Sequence, residues 1–264
     1  MNSIRIITRA DDLGSSHSAN RAIERVVNAG FIRNVSVMAC GPAVEDAAAR
    51  LAHRKDICLG MHTTLNAEWD RVKWGPVLPA EMCSGLVDEN GAFLPHPSLF
   101  RQTKPSVELI MREVTAQLER LRTLGFAIRY IDSHMFSELY VDGLDEAMED
   151  FAKRNGLLDH MYYYHFLPYG RDLSQFGHQA EFPDGQYFML IHPAEDSEEM
   201  RLTGNASVSG EAVAATRARE AELFSDPEKI RLFRDNGFTG IRYDEAERKQ
   251  RLTVADLERM LSGR

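Results

Sequence analysis

Short dense apolar runs alternate along the chain with longer stretches that are apolar on one face only. The first run, Ile4-Arg5-Ile6-Ile7-Thr8, reads as a strand. The stretch "SHSANRAIERVVNAG" then places Ala22, Ile23, Val26 and Val27 at helical spacing, with Gly30 as a C-terminal stop. "RNVSVMAC" reads as a second strand, "PAVEDAAARLAHR" as a second helix and "ICLGMH" as a third strand. Such alternation implies parallel strands joined by helical crossovers. A long amphipathic helix is predicted around 105–124, with Val107, Ile110, Met111, Val114, Leu118 and Leu121 on one face. It feeds the short run "IRYIDSH", and "LDEAMEDFAKRNG" resumes the helical pattern.

Region 159–190 is less regular, but "QYFMLIH" within it is a good strand with a histidine at its end. Two further helices are predicted, one through "GEAVAATRAREAELF" and one begun by Asp226-Pro227 and ended near Gly237. "TGIRY" then reads as a strand and "TVADLERML" as a closing helix started by Thr253. Repeated βα units with no low-complexity linker and no solenoid repeat fit a closed or nearly closed β/α barrel, one domain over residues 1–264. Segment 66–104 breaks the rhythm: it carries both tryptophans, Trp69 and Trp74, with several prolines and glycines, and is too long for a simple connection. Long loops after a barrel strand sit over the active face, so it is read as an inserted substrate lid.

The composition narrows the partners. At 264 residues and 44% hydrophobic, the chain has enough apolar material for one large α/β core. Its net charge of -9, with no basic block or basic helix face, argues against nucleic acid and anionic membranes. The opening apolar run is broken by Arg5, Arg9 and an Asp pair, and no later run is long enough to span a bilayer. A soluble cytoplasmic protein is the expectation, with a homo-oligomer left open. Cys40, Cys58 and Cys83 lack metal-type spacing and read as reduced core thiols.

Four strand ends are each followed at once by a ligand or an acid/base group. They are Asp11-Asp12 after "IRIIT", His62 after "ICLGM", His134 after "IRYIDS" and His192 after "YFMLI". In a β/α barrel these ends converge on the C-terminal face, where active sites of the fold lie. Adjacent carboxylates raise each other's ionisation cost, so Asp11-Asp12 calls for a cation nearby. Two imidazoles and one carboxylate form a set for a divalent metal with open positions. The other carboxylate can take the proton of an attacking water while another histidine protonates the leaving group. That inventory fits metal-assisted hydrolysis of an amide or ester. His53, His96, His160, His165 and His178 do not share the pattern and are read as structural, and His17, just beyond the Asp pair, either caps its helix or touches the site.

The motifs "ADDLG", "LGMHTTLN", "IDSHMF" and "IHPAE", in this order, resemble the YdjC/ChbG-type carbohydrate deacetylases, the group that includes HpnK-like proteins. "TRARE" followed by "TGIRY" extends the resemblance over most of the chain. It implies a TIM-barrel-like fold and metal-dependent removal of acetyl groups from a small N-acetylated saccharide such as a chitooligosaccharide. By this resemblance Asp12, His62 and His134 hold a divalent ion, magnesium or zinc, Asp11 is the general base and His192 the general acid. Arg217 matches a family arginine near the site, although Glu220 stands three residues on and offers it a surface ion pair instead. Trp69, Trp74, Phe136 and Arg217 are the residues assigned to substrate, while Tyr162, Tyr163 and Tyr164 read as half-buried strand residues. Leu13 replaces the family's phenylalanine, and Phe136 stands where the family has a second histidine, which points to a different or more apolar substrate. The alternatives are hydrolysis of another amide or ester, and sugar binding without catalysis. A phosphoester is disfavoured, because no glycine-rich phosphate cradle is present.

Overall fold

A computed structural model describes residues 4–166 and 183–262. His178 lies outside the described residues, as does part of the irregular region 159–190. The chain opens with β1 (Ile4–Leu13), α1 (His17–Asn28), β2 (Asn34–Val37), α2 (Val44–Leu51) and β3 (Cys58–Thr63). Segment 66–104 follows and ends in α3 (Phe100–Thr103), after which α4 (Val107–Thr123) leads into β4 (Ile128–Ser133). Next come α5 (Leu144–Asn155), β5 (Leu158–Asp159), β6 (Gly185–Ile191) and α6 (Glu198–Arg201). The chain closes with α7 (Gly210–Leu223), α8 (Pro227–Asp235), β7 (Phe238–Ile241) and α9 (Val254–Ser262).

Among the described residues the named strands pair in parallel, in the order β5-β4-β3-β2-β1-β6. β7 lies beside the first half of β1, at Ile4–Ile7, and β2 takes over the same edge from Arg9 onward. Asn34 joins the three: its amide donates to the carbonyls of Thr8 and Ile241, and its Oδ1 accepts the N–H of Tyr243. Among the described residues a parallel bridge from Phe166 to Phe188 ties the stretch after β5 to β6, so the curled sheet comes round to near closure. The barrel-like α/β architecture expected from the alternation is therefore present, and among the described residues its seam consists of a two-residue β5 and the Phe166–Phe188 bridge.

The strands are buried on both faces, and period-two alternation sorts their residues. Along β1, Ile4, Ile6 and Ala10 pack with the helices, while Ile7 faces an interior cluster with Tyr130, Tyr164, Phe188, Ile241 and Tyr243. Gly60 makes room for that cluster, since a Cβ there would lie 2.2 Å from the Tyr130 ring. Gly60→Ala is expected to cost about 1–3 kcal/mol through overpacking. The urea midpoint measures it, and an unchanged midpoint would mean that Tyr130 moves aside freely.

Segment 66–104 is fastened to the body. Trp74, Cys83, Leu86, Phe93 and Phe100 are buried in the main core. The Glu113 carboxylate on α4 accepts the N–H groups of Val77 and Leu78, both at 2.9 Å. Gln117, one turn on, bonds both the N–H and the carbonyl of Thr64. The three cysteines are buried and free, and burial pushes Cys40 and Cys58 up to about 12 and Cys83 up to about 11. Core thiols held so far above neutrality are unreactive.

Candidate active site

The adjacent carboxylates are explained by a break in the strand they occupy. β1 does not end at Thr8 but runs to Leu13, and its register against β2 shifts between Ala10 and Leu13. In a regular strand Asp11 and Asp12 would face opposite sides. At this bulge Asp12 takes a left-handed φ of 68°, which aspartate tolerates, and both carboxylates reach the group around His62.

Each carboxylate has its own cation. Arg9, fully buried, clamps Asp11 through both oxygens, at 2.6 Å and 2.7 Å. The same guanidinium reaches Asp132 at 2.8 Å and the Tyr243 hydroxyl at 3.2 Å. Arg217 reaches Asp12 Oδ2 at 2.8 Å. The alternative surface pairing of Arg217 with Glu220 is not what forms: Glu220 instead accepts the backbone N–H of His192 at 2.6 Å. Burial works against the Asp12 carboxylate, yet Arg217 and the neighbouring His62 hold it well below the usual carboxylate range.

The two histidines present opposite ring nitrogens to one point. His62 Nε2 lies 3.5 Å from Asp12 Oδ1, His134 Nδ1 lies 3.6 Å from the same oxygen, and the two nitrogens are 3.2 Å apart. Behind them, His62 Nδ1 meets Asp132 at 2.5 Å and His134 Nε2 meets Glu68 at 2.9 Å. Burial pushes His62 down, but Asp132 and Asp12 outweigh it and raise the imidazole to about 10. An ion taken up at Nε2 therefore displaces a proton.

Among the described residues two trios have ligand atoms within 4.8 Å of one another: Asp12, His62 and His134, and Asp11, His62 and Asp132. In the second trio both carboxylates are already engaged by the one Arg9 guanidinium. In the first, Asp12 Oδ1 is buried without a hydrogen-bond partner, facing the two imidazole nitrogens. A buried carboxylate oxygen left unpaired is costly, and a divalent ion would satisfy it. The first trio therefore fits a metal, and it is the set that the family resemblance implies.

The other expected residues divide. His192 follows β6 directly, and burial pushes its imidazole below the ordinary histidine range, with the Asp12 charge opposing and Arg217 assisting. Trp69 is partly exposed, with the Arg217 guanidinium 6.0 Å from its ring. Trp74 is buried, spends its indole N–H on the Asn66 carbonyl, and sets its ring 6.2 Å from that of His134. Phe136 follows Met135 in a pair of left-handed residues just after His134, and its ring stacks on His160 at 6.4 Å. Tyr163 and Tyr164 are buried and Tyr162 bonds Glu149, so the three pack rather than open to the site, but none lies in a strand: Tyr162 ends a short 3-10 turn after β5 and the other two follow it. Asp132 and Glu68 were not singled out in the sequence. Asp132 stands two residues before His134, so strand alternation could have found it, whereas nothing periodic marks Glu68.

A family model described as YdjC-like protein matches residues 5–164, the part that contains Asp11, Asp12, His62, Asp132 and His134. The chain belongs to the YdjC-like family. A carbohydrate deacetylase of Thermoanaerobacter pseudethanolicus is 24% identical over 252 residues, covering 88% of this chain and 94% of that one. The carbohydrate deacetylase of Vibrio cholerae is 27% identical over 131 residues, 50% of this chain and 48% of its own. The chain thus spans about half the length of some YdjC-like relatives and nearly all of another. Among solved structures, a proposed cellobiose-phosphate cleavage protein of Enterococcus faecalis superimposes with a TM-score of 0.74 at 20% identity, covering 92% of this chain and 98% of that one. The catalytic domain of a peptidoglycan N-acetylglucosamine deacetylase from Eubacterium rectale gives 0.51 at 12% identity, over 96% and 94%. Both share the fold of this YdjC-like chain.

Proposed function

We propose that the protein is a metal-dependent hydrolase that removes the acetyl group from a small N-acetylated saccharide, breaking a linear amide C–N bond. The observation that carries this reading is the unpaired Asp12 Oδ1 between two imidazole nitrogens, with a second, Arg9-clamped carboxylate alongside. The curated relatives named carbohydrate deacetylases supply the substrate class.

Asp12, His62 and His134 would hold a divalent ion, zinc or magnesium. Such an ion, when bound, supplies Lewis-acid polarisation of the acyl carbonyl and a more acidic water. Asp11 takes the proton of the attacking water. Its oxygens each keep a lone pair beyond the one given to Arg9, so the clamp fixes the base without consuming it. As the new C–O bond forms and the C–N bond breaks, the departing amine needs a proton, and His192 delivers it. Burial disfavours the charged form of His192, so it acts as a relay: the proton that Asp11 takes from the water passes through His192 to the departing amine. Trp69 offers a flat face for a sugar ring, and Arg217 presents Asp12 with one oxygen turned toward the ion. Segment 66–104 is the cover of the site, and Phe136 gives it an apolar edge where the family carries a histidine. No helix among the described residues is long and apolar enough to cross a membrane, and action on short soluble saccharides in the cytoplasm is part of the proposal.

Acetate release from N-acetylglucosamine, its dimer and its trimer, set against O-acetylated sugars, tests this reading. Release from the amides supports it. Release from the esters alone would move the reaction to another bond, and saccharide binding with no release would favour a non-catalytic sugar-binding protein.

A further inference from the structure

We infer that Glu68 is the positioning residue for His134, so that segment 66–104 takes part in building the metal site; this rests on the metal reading above. Glu68 Oε2 lies 2.9 Å from His134 Nε2, and the side chain is 12% exposed. The nitrogen it meets is the one turned away from Asp12, because Asp12 Oδ1 faces Nδ1 at 3.6 Å. Glu68 therefore stands behind the ring, outside the ligand trio.

The contact fixes a tautomer. With Nε2–H donated to the carboxylate, the Nδ1 lone pair is left toward Asp12 and His62. Asp132 does the same for His62 with the nitrogens exchanged, taking Nδ1–H and leaving Nε2 inward. The two histidines are thus each held by a carboxylate from behind, one from a barrel strand and one from the insertion.

Glu68 is itself held in place. The Asn66 amide lies 3.4 Å from Oε2, and the Asn205 amide donates to the Glu68 carbonyl at 3.3 Å. The neighbouring backbone is tied by Trp74 Nε1 to the Asn66 carbonyl and by Lys73 Nζ to that of Ala67. The fastening of the insertion to α4 through Glu113 thereby reaches the metal site through one side chain.

Calorimetric titration of zinc and of magnesium into metal-free wild type, Glu68→Ala and Glu68→Gln tests the inference. Glu68→Ala is expected to weaken metal binding about 10- to 100-fold, and Glu68→Gln, whose amide oxygen still accepts Nε2–H, to recover part of the loss. Nitrogen NMR of the wild-type, metal-loaded protein is expected to find His134 protonated at Nε2. Metal affinity in Glu68→Ala within about twofold of wild type would overturn the inference, even if KM for a saccharide rose, since that pattern belongs to a substrate contact. A proton on His134 Nδ1 would overturn it as well, and that readout needs no variant to fold. If the wild type binds neither ion, the metal reading itself falls and takes this inference with it.

Discussion

Asp12→Asn is expected to lose tight divalent-ion binding and to lower acetate release on the order of a thousandfold. The substitution changes no volume but removes the only charged ligand of the trio. Asp12 Oδ1 is buried without a hydrogen-bond partner, and Oδ2 is committed to Arg217. An amide in its place carries no charge for the ion, and it leaves Arg217 without its anionic partner. Loss of Lewis-acid stabilisation is worth several kcal/mol, each ~1.4 kcal/mol being tenfold in rate. Breaking the buried pair adds a stability cost of about 3–5 kcal/mol, so circular dichroism must first establish that the variant is folded. Metal content by mass spectrometry then decides. A folded Asp12→Asn that holds one ion as tightly as wild type would remove Asp12 from the ligand set.

Asp11→Asn is expected to separate binding from chemistry. The ligand trio does not include Asp11, so metal affinity should stay near the wild-type value and KM should change little. kcat should fall by about 10²- to 10⁴-fold, the usual loss when a general base is removed. The structure limits collateral damage: Arg9 keeps Asp132 at 2.8 Å and the Tyr243 hydroxyl when one carboxylate becomes an amide. Single-turnover acetate release with the ion bound measures the effect. A kcat within about threefold of wild type would assign the base to another group, with His192 as the next candidate.

The proposed ligand trio came from the family resemblance, while the gathering of its two histidines was also legible because β-strands are regular. His62 and His134 lie on neighbouring parallel strands β3 and β4, at and just past their C-terminal ends, so counting along strands places them together. The Asp pair was legible as chemistry but not as geometry. Nothing in "ADDLG" announces that β1 continues to Leu13 or that a bulge at Asp12 turns both carboxylates to the same group. Arg217 was ambiguous for a physical reason: Glu220, three residues on, is a satisfactory local partner in sequence, and only the packing of α7 near the end of β1 shows that Asp12 wins. Arg9 and Asp132 follow strand alternation and were within reach of the pattern. Glu68 was not, since it sits in an irregular insertion whose path is set by contacts distant in sequence, such as Glu113 with Val77 and Leu78. The same contacts explain why Trp74 is buried. In a 66–104 segment with its own core residues, an indole counts as packing as readily as sugar surface.

The most direct measurement is acetate release from an N-acetylated saccharide by chelator-stripped protein, titrated with zinc or magnesium while bound metal is counted in the same samples. The expected result is negligible release without metal and activity that rises in proportion to occupancy, saturating at about one ion per chain. Full activity in protein shown to contain no metal would contradict the assignment of Asp12, His62 and His134 as the catalytic metal site.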